Sequence, residues 1–495
     1  GGGERGRGLH HQGGAAAGLV AGGEGDHLRR PRAEQAPQAG GKAASARLGG
    51  FRFDTGPSLL TLPEVFRRFF ARLDRDLDDY LEPLPLAPLC AYDFADGSRL
   101  ESYSDRARFA AELEAAGAAT RRELDACLDH SARLWRWAGE LFLTRSLHEP
   151  STFFSRAGIR AILHAGRLSP FQTLHAANAR AFGDPRAVQL FDRYATYNGS
   201  SPYRTPATMR IIPHVEYGFG GYALRGGIVA LPRALERVAR EWGVEFRFGE
   251  AVERIVVHQG RCRGVEAGGV FHPAGLVVSN ADVLATYRRL LAMPQAPEAR
   301  RAARQEPSSS GLVFLWGLKR GFDRTRVHNI FFSGDYPAEF DALFRRLDLP
   351  EDPTVYVNIT GKADPEDAPP GGENWFVLLN APRAAGQDWP ALAARARRAV
   401  LARVSKALGT DLEPWIAEER AITPPDIERE TGSTHGSLYG MASHGPASAF
   451  LRHPNRSRRI RGLYFAGGSV HPGGGMPLAL LSGMLAADLA EKTER

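Results

Sequence analysis

The sequence has little cysteine and no long apolar run, and both shortages exclude classes of protein. Its three cysteines, Cys90, Cys127 and Cys262, are odd in number and widely separated, which argues against a disulfide framework and against a zinc cage. No uninterrupted apolar stretch approaches the roughly 18 residues of a membrane-spanning helix. The N-terminus lacks the basic, apolar and small-residue order of a secretory signal. We therefore expect a protein of the reducing cytosol that is not integral to a membrane.

What the sequence does contain is typical of a large globular enzyme. The 495 residues are 43% apolar and 24% charged, enough to build more than one lobe around a core. The net charge of +7 would permit attraction to anionic lipid or nucleic acid. A solvated, arginine-rich surface explains that charge equally well, and no nucleic-acid-binding module is present, so we expect no nucleic-acid partner.

Residues 1–33 differ in composition from the rest of the chain. They hold 11 of the 55 glycines and five arginines, with Val20 as the sole β-branched residue. Such Gly-rich low complexity predicts no strand and no regular structure. From Glu34 the pattern changes: alternating "FRFD" (51–54) predicts a strand, and an amphipathic helix is predicted after it.

Hydrophobic periodicity predicts the remaining elements. Helical spacing covers 106–146, 173–197, 231–242 and 390–407. Strands are predicted at 244–248, 253–257, 261–266 and 275–282, and three apolar runs read as further sheet strands at 311–318, 354–360 and 375–382. Alternating helices and strands of this kind predict an α/β fold with a mixed sheet.

The stretch "LYFAGGSVHPGGGMPLALLSG" (463–483) predicts a strand, a glycine turn and a helix. Pro477 suits the first helical turn, where its missing N–H costs nothing. Backbone N–H groups at such a helix start, together with the helix dipole, form an anion site that glycine lets a ligand approach. The alternative is a sharp glycine-rich corner that holds no ligand.

That stretch resembles the C-terminal flavin-contacting signature of the bacterial phytoene desaturase family, FAD-dependent carotenoid desaturases and isomerases. The resemblance extends to "GGKA…GFRFDTGP" (40–57), "GGIVALPRALERVAREWGVEFRFGEAVERI", "VVSNADVLATYRRLL" (277–291) and "TPPDIE…GSLYG" (423–440). It implies FAD as cofactor and a Rossmann-like FAD-binding lobe formed by 34–90, 220–285 and 420–495. A lobe of mixed sheet and helices, formed by 91–219 and 286–419, would bind substrate and the membrane.

The resemblance also implies which residues contact the cofactor. Val252 would reach the adenine side through its backbone, His471 would lie beside the flavin, and Asp54 would bond turn backbone nearby. A turn or helix-cap histidine is the other interpretation of His471. The full set of implied contacts is Glu34, Gly40, Gly41, Lys42, Asp54, Thr55, Gly56, Pro57, Val252, Gly467, Gly468, His471, Gly474, Met476 and Pro477. No catalytic residue and no metal ligand is assigned.

The chain departs from the family where the cofactor's pyrophosphate should bind. Family members open with a strand and G-x-G-x-x-G, followed about 20 residues later by a carboxylate for the ribose. Glu34 fits that carboxylate, yet the fingerprint would then fall on His11, Gly13 and Ala16. We interpret 1–33 as the right length of a GC-rich gene read in the wrong frame. A genuine extension replacing the first βα unit is the alternative, and in both cases the chain should bind FAD poorly.

The family's reaction removes two hydrogens from a C–C bond beside a polyene, so a C40 carotenoid is the implied substrate and a quinone or oxygen the electron acceptor. Residues 191–217 resemble the branch acting on hydroxylated carotenoids, the 3,4-desaturases. An apolar tunnel suits such a substrate, and candidate lining residues are Phe153, Phe154, Tyr194, Tyr197 and Tyr203. His214, Glu216 and His328 are weaker candidates for chemistry.

Peripheral membrane association follows, because the bilayer supplies the substrate. Two other functions stay open: a flavin-free, non-enzymatic remnant, which the missing fingerprint favours, and an amine-oxidising flavoenzyme. The amine oxidase is disfavoured because no aromatic pair precedes the C-terminal motif to cage an amine.

Overall fold

We analysed a computed structural model that describes the backbone of residues 19–22 and 31–34 and all atoms of residues 38–447 and 452–494. The strands of the described residues, in chain order, are β1 (Leu19–Gly22), β2 (Pro31–Glu34), β3 (Ser45–Leu48), β4 (Phe51–Asp54), β5 (Pro83–Pro85), β6 (Cys90–Asp93), β7 (Arg99–Ser102), β8 (Tyr222–Leu224), β9 (Glu245–Phe248), β10 (Val252–His258), β11 (Arg261–Ala267), β12 (Val270–Pro273), β13 (Leu276–Ser279), β14 (Ser310–Leu318), β15 (His328–Phe331), β16 (Val355–Ile359), β17 (Glu373–Ala381), β18 (Ile416–Ile422) and β19 (Leu463–Phe465).

The α-helices of the same residues lie among these strands, six of them in succession between β7 and β8. They are α1 (Pro63–Ala71), α2 (Arg106–Ala115), α3 (Arg121–Leu134), α4 (Glu140–Thr144), α5 (Arg156–Leu163), α6 (Leu174–Ala181), α7 (Pro185–Asp192), α8 (Ala230–Glu241), α9 (Val283–Ala285), α10 (Pro297–Arg304), α11 (Tyr336–Asp341), α12 (Trp389–Leu408), α13 (Pro424–Thr431) and α14 (Met476–Thr493). The predicted helices and strands between 51 and 483 are confirmed, with ends shifted by a few residues.

A seven-stranded mixed sheet is the largest element, ordered β18-β14-β17-β16-β15-β6-β7. Its neighbours are antiparallel except β15 and β6, which are parallel. The predicted strands 311–318, 354–360 and 375–382 are its centre. One face carries Leu312, Trp316 and Val377, which pack with Val400 and Val404 of α12. The side chains between them point to the opposite face, because successive residues of a strand alternate.

A five-stranded sheet, ordered β19-β13-β1-β2-β9, forms the other large layer. β13 pairs with β19 in parallel, and β2 pairs with β9 in parallel. The sequence predicts two strands for a cofactor lobe, one at 275–282 and one that leads into the C-terminal glycines. These strands are β13 and β19, and they are neighbours in this sheet. Smaller sheets join β10, β11 and β12, β3 with β4, and β5 with β8.

The prediction that 1–33 contains no strand is wrong. β1 occupies the centre of the five-stranded sheet, and most of β2 lies in the same segment. Pairing with a distant strand outweighs the local Gly-rich composition here. β13 presents backbone N–H and C=O groups that need hydrogen-bond partners, and β1 supplies them from Leu19 opposite Ser279 to Gly22 opposite Leu276. β1 is antiparallel to both neighbours. Only residues 23–30 separate it from β2, fewer than the dozen or more that a parallel crossover takes. His11, Gly13 and Ala16 lie outside the described residues.

Candidate functional site

A cavity of about 1600 Å³ lies between the two large sheets. Its floor is the face of the seven-stranded sheet that points away from α12. The floor is lined by Val313, Tyr356, Phe376 and Leu378. The residues next to each of these along the strand point to the other face, where they pack in the core with α12. Leu276 and Val278 of β13 line it from the five-stranded sheet. Because most of these side chains are apolar, the cavity suits a ligand with a long apolar body.

The glycine turn after β19 forms one wall. Gly467, Gly468, Gly474 and Gly475 line the cavity, and α14 begins directly after them at Met476. Gly475 has φ 108°, and a Cβ added to it would have no atom within 4 Å. The turn thus uses a conformation that L side chains rarely adopt and leaves space for a ligand beside the backbone. The helix start at this wall favours negative charge.

The segment 40–57 forms the facing wall. Gly40, Gly41, Lys42, Thr55, Gly56 and Pro57 all line the cavity. Gly56 lies so close to residue 42 that a Cβ on it would overlap the carbonyl oxygen of Lys42. The glycine is therefore required to bring the two ends of the β3–β4 hairpin together at the cavity.

Lys42 joins this wall to the C-terminal segment. Its Nζ donates to the carbonyl oxygens of Ser437 at 3.1 Å and Leu438 at 2.8 Å. Burial lowers the pKa of Lys42 to about 8, with the nearby carboxylate of Asp282 opposing the shift. The lysine thus carries a positive charge at neutral pH that two carbonyl oxygens orient.

Eleven of the fifteen predicted cofactor contacts line the cavity: Gly40, Gly41, Lys42, Thr55, Gly56, Pro57, Gly467, Gly468, Gly474, Met476 and Pro477. Glu34 is the last residue of β2, opposite Phe248 of β9, and its side chain lies outside the described atoms. Asp54, Val252 and His471 do not line the cavity.

Asp54 lies behind the cavity wall. Its carboxylate accepts a hydrogen bond from Arg52 Nη1 at 2.7 Å and from the backbone N–H of Ile228 at 3.1 Å. Arg52 also forms an ion pair with Asp367. Burial raises the pKa of Asp54, while Arg52 counteracts part of that shift. Asp54 therefore ties β4 to the turn before α8.

His471 and Val252 are both buried away from the cavity. His471 Nε2 donates to the carbonyl oxygen of Arg145 at 2.9 Å, and burial lowers the pKa of the ring to about 4. His471 is therefore neutral at physiological pH and holds the C-terminal turn against the end of α4. Val252 opens β10, where it pairs with Ala267.

Of the five aromatic residues proposed from the sequence as cavity lining, one lines the cavity and four do not. Tyr197 lines the cavity, whereas Tyr194 is buried in the core, and Tyr203 packs against His175 and Phe340. Phe153 and Phe154 are 40% and 82% exposed. They cannot line the cavity because their segment lies on the surface.

A buried polar cluster lies at the cavity, and Arg193 is the one member that the sequence analysis did not name as a candidate. Arg193 and Glu216, 5% and 2% exposed, form an ion pair of 2.6 Å. Tyr194 donates to Glu216 Oε1 at 3.1 Å, and Tyr197 donates to Oε2. Arg193, Tyr197, Glu216 and the weak candidate His328 line the cavity. His214 does not line it and instead packs against Trp135 and Phe219. The sequence signal that could have indicated this cluster is the occurrence of polar residues at positions where the surrounding pattern is apolar.

Comparison with known proteins assigns the chain to a family. A family model described as "Flavin containing amine oxidoreductase" matches residues 33–490. The 1-hydroxycarotenoid 3,4-desaturase of Flavobacterium sp. (strain P99-3) is 43% identical over 460 residues, 93% of each chain. The 4,4'-diapolycopene oxygenase of Methylomonas sp is 34% identical over 92% of each chain. The hydroxyneurosporene desaturase of Rubrivivax gelatinosus is 33% identical over 92% of this chain and 87% of its own.

Solved structures share the fold at low identity. An oxidoreductase from Methanosarcina mazei superimposes with a TM-score of 0.60 at 16% identity, over 92% of this chain and 93% of its own. Putrescine oxidase bound to putrescine gives 0.61 at 13% identity, over 94% and 93%. These likenesses show the fold alone.

FAD is the cofactor of this family, and the walls described above fit it. Glycines leave open space beside the backbone at Gly41 and Gly475, the N-terminus of α14 favours an anion, and Lys42 supplies a half-buried positive charge. Together with the matched family model and the relatives, this shows that the chain belongs to the flavin-containing amine oxidoreductases and, among them, to the bacterial phytoene desaturase family.

Proposed function

We propose that the protein is an FAD-dependent carotenoid desaturase, which introduces C=C bonds into a C40 carotenoid. The observation that carries this proposal is the cavity of about 1600 Å³, apolar on its sheet floor and glycine-walled where a flavin would bind. The three relatives described above, which each align with more than nine-tenths of this chain, bear the names of carotenoid-modifying enzymes. An apolar cavity of this size is large even among sites for drug-sized ligands.

The finer assignment is a 1-hydroxycarotenoid 3,4-desaturase. The Flavobacterium enzyme of that name is 43% identical, against 34% for the Methylomonas oxygenase and 33% for the Rubrivivax desaturase. The buried polar residues at the cavity support this choice, because a pure hydrocarbon offers them no hydrogen-bond partner.

When bound, FAD supplies the two-electron oxidation that removes two hydrogens from the substrate. The protein's part is to hold the polyene against the cofactor and to exclude water. Val313, Phe376 and Leu378 give the polyene a flat apolar floor. The eleven cavity-lining contacts predicted from the sequence would hold the flavin, and a quinone or oxygen would reoxidise it. We assign no catalytic base.

Peripheral attachment at the cytoplasmic face of the membrane is part of the proposal. In the residues that the structure describes, no helix is long and apolar enough to span a bilayer. A surface segment at 153–171 instead exposes Phe154, Leu163 and Phe171 at 82%, 75% and 89%. α5 buries its small residues Ala157, Gly158 and Ala161 and turns its large apolar ones outward. Exposed arginines flank them at 156, 160 and 167, as in interfacial helices.

Liposome flotation tests this attachment. The double variant Phe154→Asp with Leu163→Asp should lose most vesicle binding, since both side chains would enter the interface. Phe271→Asp, at a residue 47% exposed on β12, should float like wild type. Equal flotation of all three proteins would contradict attachment through 153–171.

The division into lobes also belongs to the proposal. Residues 34–90, 220–285 and 420–495 would form the cofactor lobe. Residues 91–219 and 286–419 would form the substrate and membrane lobe.

The anomalous composition of residues 1–33 is also explained by a shifted reading frame. The family model begins to match at residue 33, and the alignment with the Flavobacterium enzyme covers 93% of each chain. The residues that precede the match are those whose composition differs from the rest of the chain, and a shifted reading frame would produce such a difference.

The second candidate is a flavin-free remnant, favoured by the antiparallel direction of β1 at the centre of the five-stranded sheet. Expression in a host that accumulates 1-hydroxycarotenoids separates the two, with the empty vector as control. A lengthened polyene, seen as a red-shifted absorption spectrum, supports the desaturase. An oxidised terminal carbon would point to the oxygenase activity named for the Methylomonas relative. Unchanged pigment with flavin-free protein supports the remnant.

A further inference from the structure

The cavity floor contains a histidine with an unused hydrogen-bond donor. His328 opens β15, is 3% exposed, and lines the cavity. Its Nδ1 lies 2.7 Å from Tyr356 Oη and 3.2 Å from Asn358 Nδ2. Its Nε2 has no hydrogen-bond partner. A buried polar atom without a partner is uncommon and marks a place where a ligand can complete the bonding.

The neighbours of His328 decide which nitrogen carries the proton. The Asn358 amide nitrogen is a donor only, and it also donates to the carbonyl oxygen of Val327 at 3.1 Å, which fixes its orientation. His328 Nδ1 must therefore accept, so the proton of the neutral ring resides on Nε2. Burial, with help from the positive charge of Arg193, lowers the pKa of His328 to about 3. The ring stays neutral, and its free group is an N–H donor.

A short chain of hydroxyl groups links His328 to the cofactor wall. With Nδ1 accepting, Tyr356 Oη donates to it at 2.7 Å. Tyr356 Oη in turn lies 2.5 Å from Ser58 Oγ, the residue that follows Pro57. Both Ser58 and Tyr356 line the cavity. The donor is thus held on the sheet floor directly beside the wall that would hold the flavin.

We propose that His328 Nε2, oriented by Tyr356 and Asn358, is the subsite that binds the oxygen of an oxygenated carotenoid. The assignment rests on the proposed function. In a 1-hydroxycarotenoid one carbon separates the hydroxyl-bearing C1 from C3 of the 3,4 bond. An oxygen subsite for that substrate must therefore lie next to the reacting bond, at the cofactor wall. His328 meets this requirement, and the apolar floor beyond it receives the polyene.

The test is a binding comparison that needs no turnover. The full chain is mixed in detergent micelles with an acyclic C40 polyene bearing a tertiary terminal hydroxyl, or with the same polyene lacking it. Bound pigment per chain is measured after gel filtration. One hydrogen bond to a donor that is otherwise unsatisfied should favour the hydroxylated polyene by about tenfold. A site that hydrogen-bonds a hydroxyl rejects the analogue without it.

Variants then assign the preference to His328. His328→Phe keeps a ring of similar size but no donor, so it should bind both polyenes alike. His328→Gln keeps an N–H donor and should retain part of the preference, which also guards against a misfolded Phe variant. Ile330→Val, at an apolar lining residue on the same face of β15, should change both affinities in parallel.

Three results would overturn the assignment. If wild type binds both polyenes equally, no oxygen subsite operates although the cavity accepts carotenoids. If His328→Phe keeps the preference, another residue holds the oxygen. If neither polyene binds, the proposed function fails, and this subsite fails with it.

Discussion

The two large sheets face the same cavity but differ in how fully their strands are paired. β14 is buried along all nine residues, and its pairs with β17 run from Ser310 opposite Ala381 to Leu318 opposite Glu373. β1, at the centre of the five-stranded sheet, is four residues long, and it pairs with β2 at Leu19 and Val20 alone. The sheet on the proposed substrate side of the site is thus fully paired, whereas the sheet on the proposed cofactor side is built around the segment where the sequence departs from its family.

This difference teaches that fold and cofactor binding have separate sequence requirements. A sheet centre can be filled by any short strand whose backbone pairs with its neighbours. A pyrophosphate site also needs the strand direction, glycines and helix start that place N–H groups against the phosphates. β1 satisfies the first requirement, because its backbone pairs with both neighbours. It does not satisfy the second, because it runs antiparallel to β2 and β13.

The largest expected effect is on the substrate side, from Glu216→Gln. This change leaves the buried Arg193 charge without its 2.6 Å partner, so the free energy of unfolding should fall by about 3–5 kcal/mol. Chemical denaturation measures it. Glu82→Gln, which removes one partner of the exposed 2.8 Å pair with Arg225, should leave the free energy of unfolding almost unchanged, because solvent screens that pair. Similar losses in both variants would show that the buried cluster is not the stronger support.

An intermediate effect is expected where the cofactor wall closes on itself. Gly56→Ala puts a Cβ against the carbonyl oxygen of Lys42, and the backbone must shift, at a cost of about 1–3 kcal/mol. Thermal unfolding should show the loss. Gly483→Ala, on the same cavity inside α14 and with open space around it, should unfold at or above the wild-type temperature. A neutral Gly56→Ala would mean that the 42–56 contact is looser than described.

The smallest effect is a pH dependence at the seam between the walls. Burial lowers the pKa of Lys42 from 10.5 to about 8, so above pH 8 the folded state has released a proton that the unfolded chain still binds. The free energy of unfolding of wild type should therefore rise relative to Lys42→Met from pH 8 to 9, by about 1 kcal/mol. The penalty is fully present below pH 8. Wild type and Lys42→Met differ in this one ionisable side chain, and a flat difference between them across that range would refute the shift.

Local sequence patterns predicted most of the helices and strands. They did not predict the features that form between residues distant in the sequence. The apolar run 311–318 is β14 almost residue for residue, because a strand buried on both faces has a sequence signature of its own. The polar groups at the cavity have no such sequence signature, because they come together only in the folded chain. They are Ser58, Arg193, Glu216, His328 and Tyr356. β1 was missed for a related reason, since its partner β13 lies more than 250 residues away.

Flavin content tests the central claim, that the cofactor side alone is deficient. Three proteins are purified in parallel: the chain as written, a version with a strand and G-x-G-x-x-G restored ahead of Glu34, and that repaired version with the three glycines changed to alanine. Bound FAD per chain is read from flavin absorbance. We expect close to one FAD per chain in the repaired protein and a small fraction in the other two, because only the glycines admit the pyrophosphate to the helix start. Equal, stoichiometric FAD in the chain as written and its repaired version would contradict the account.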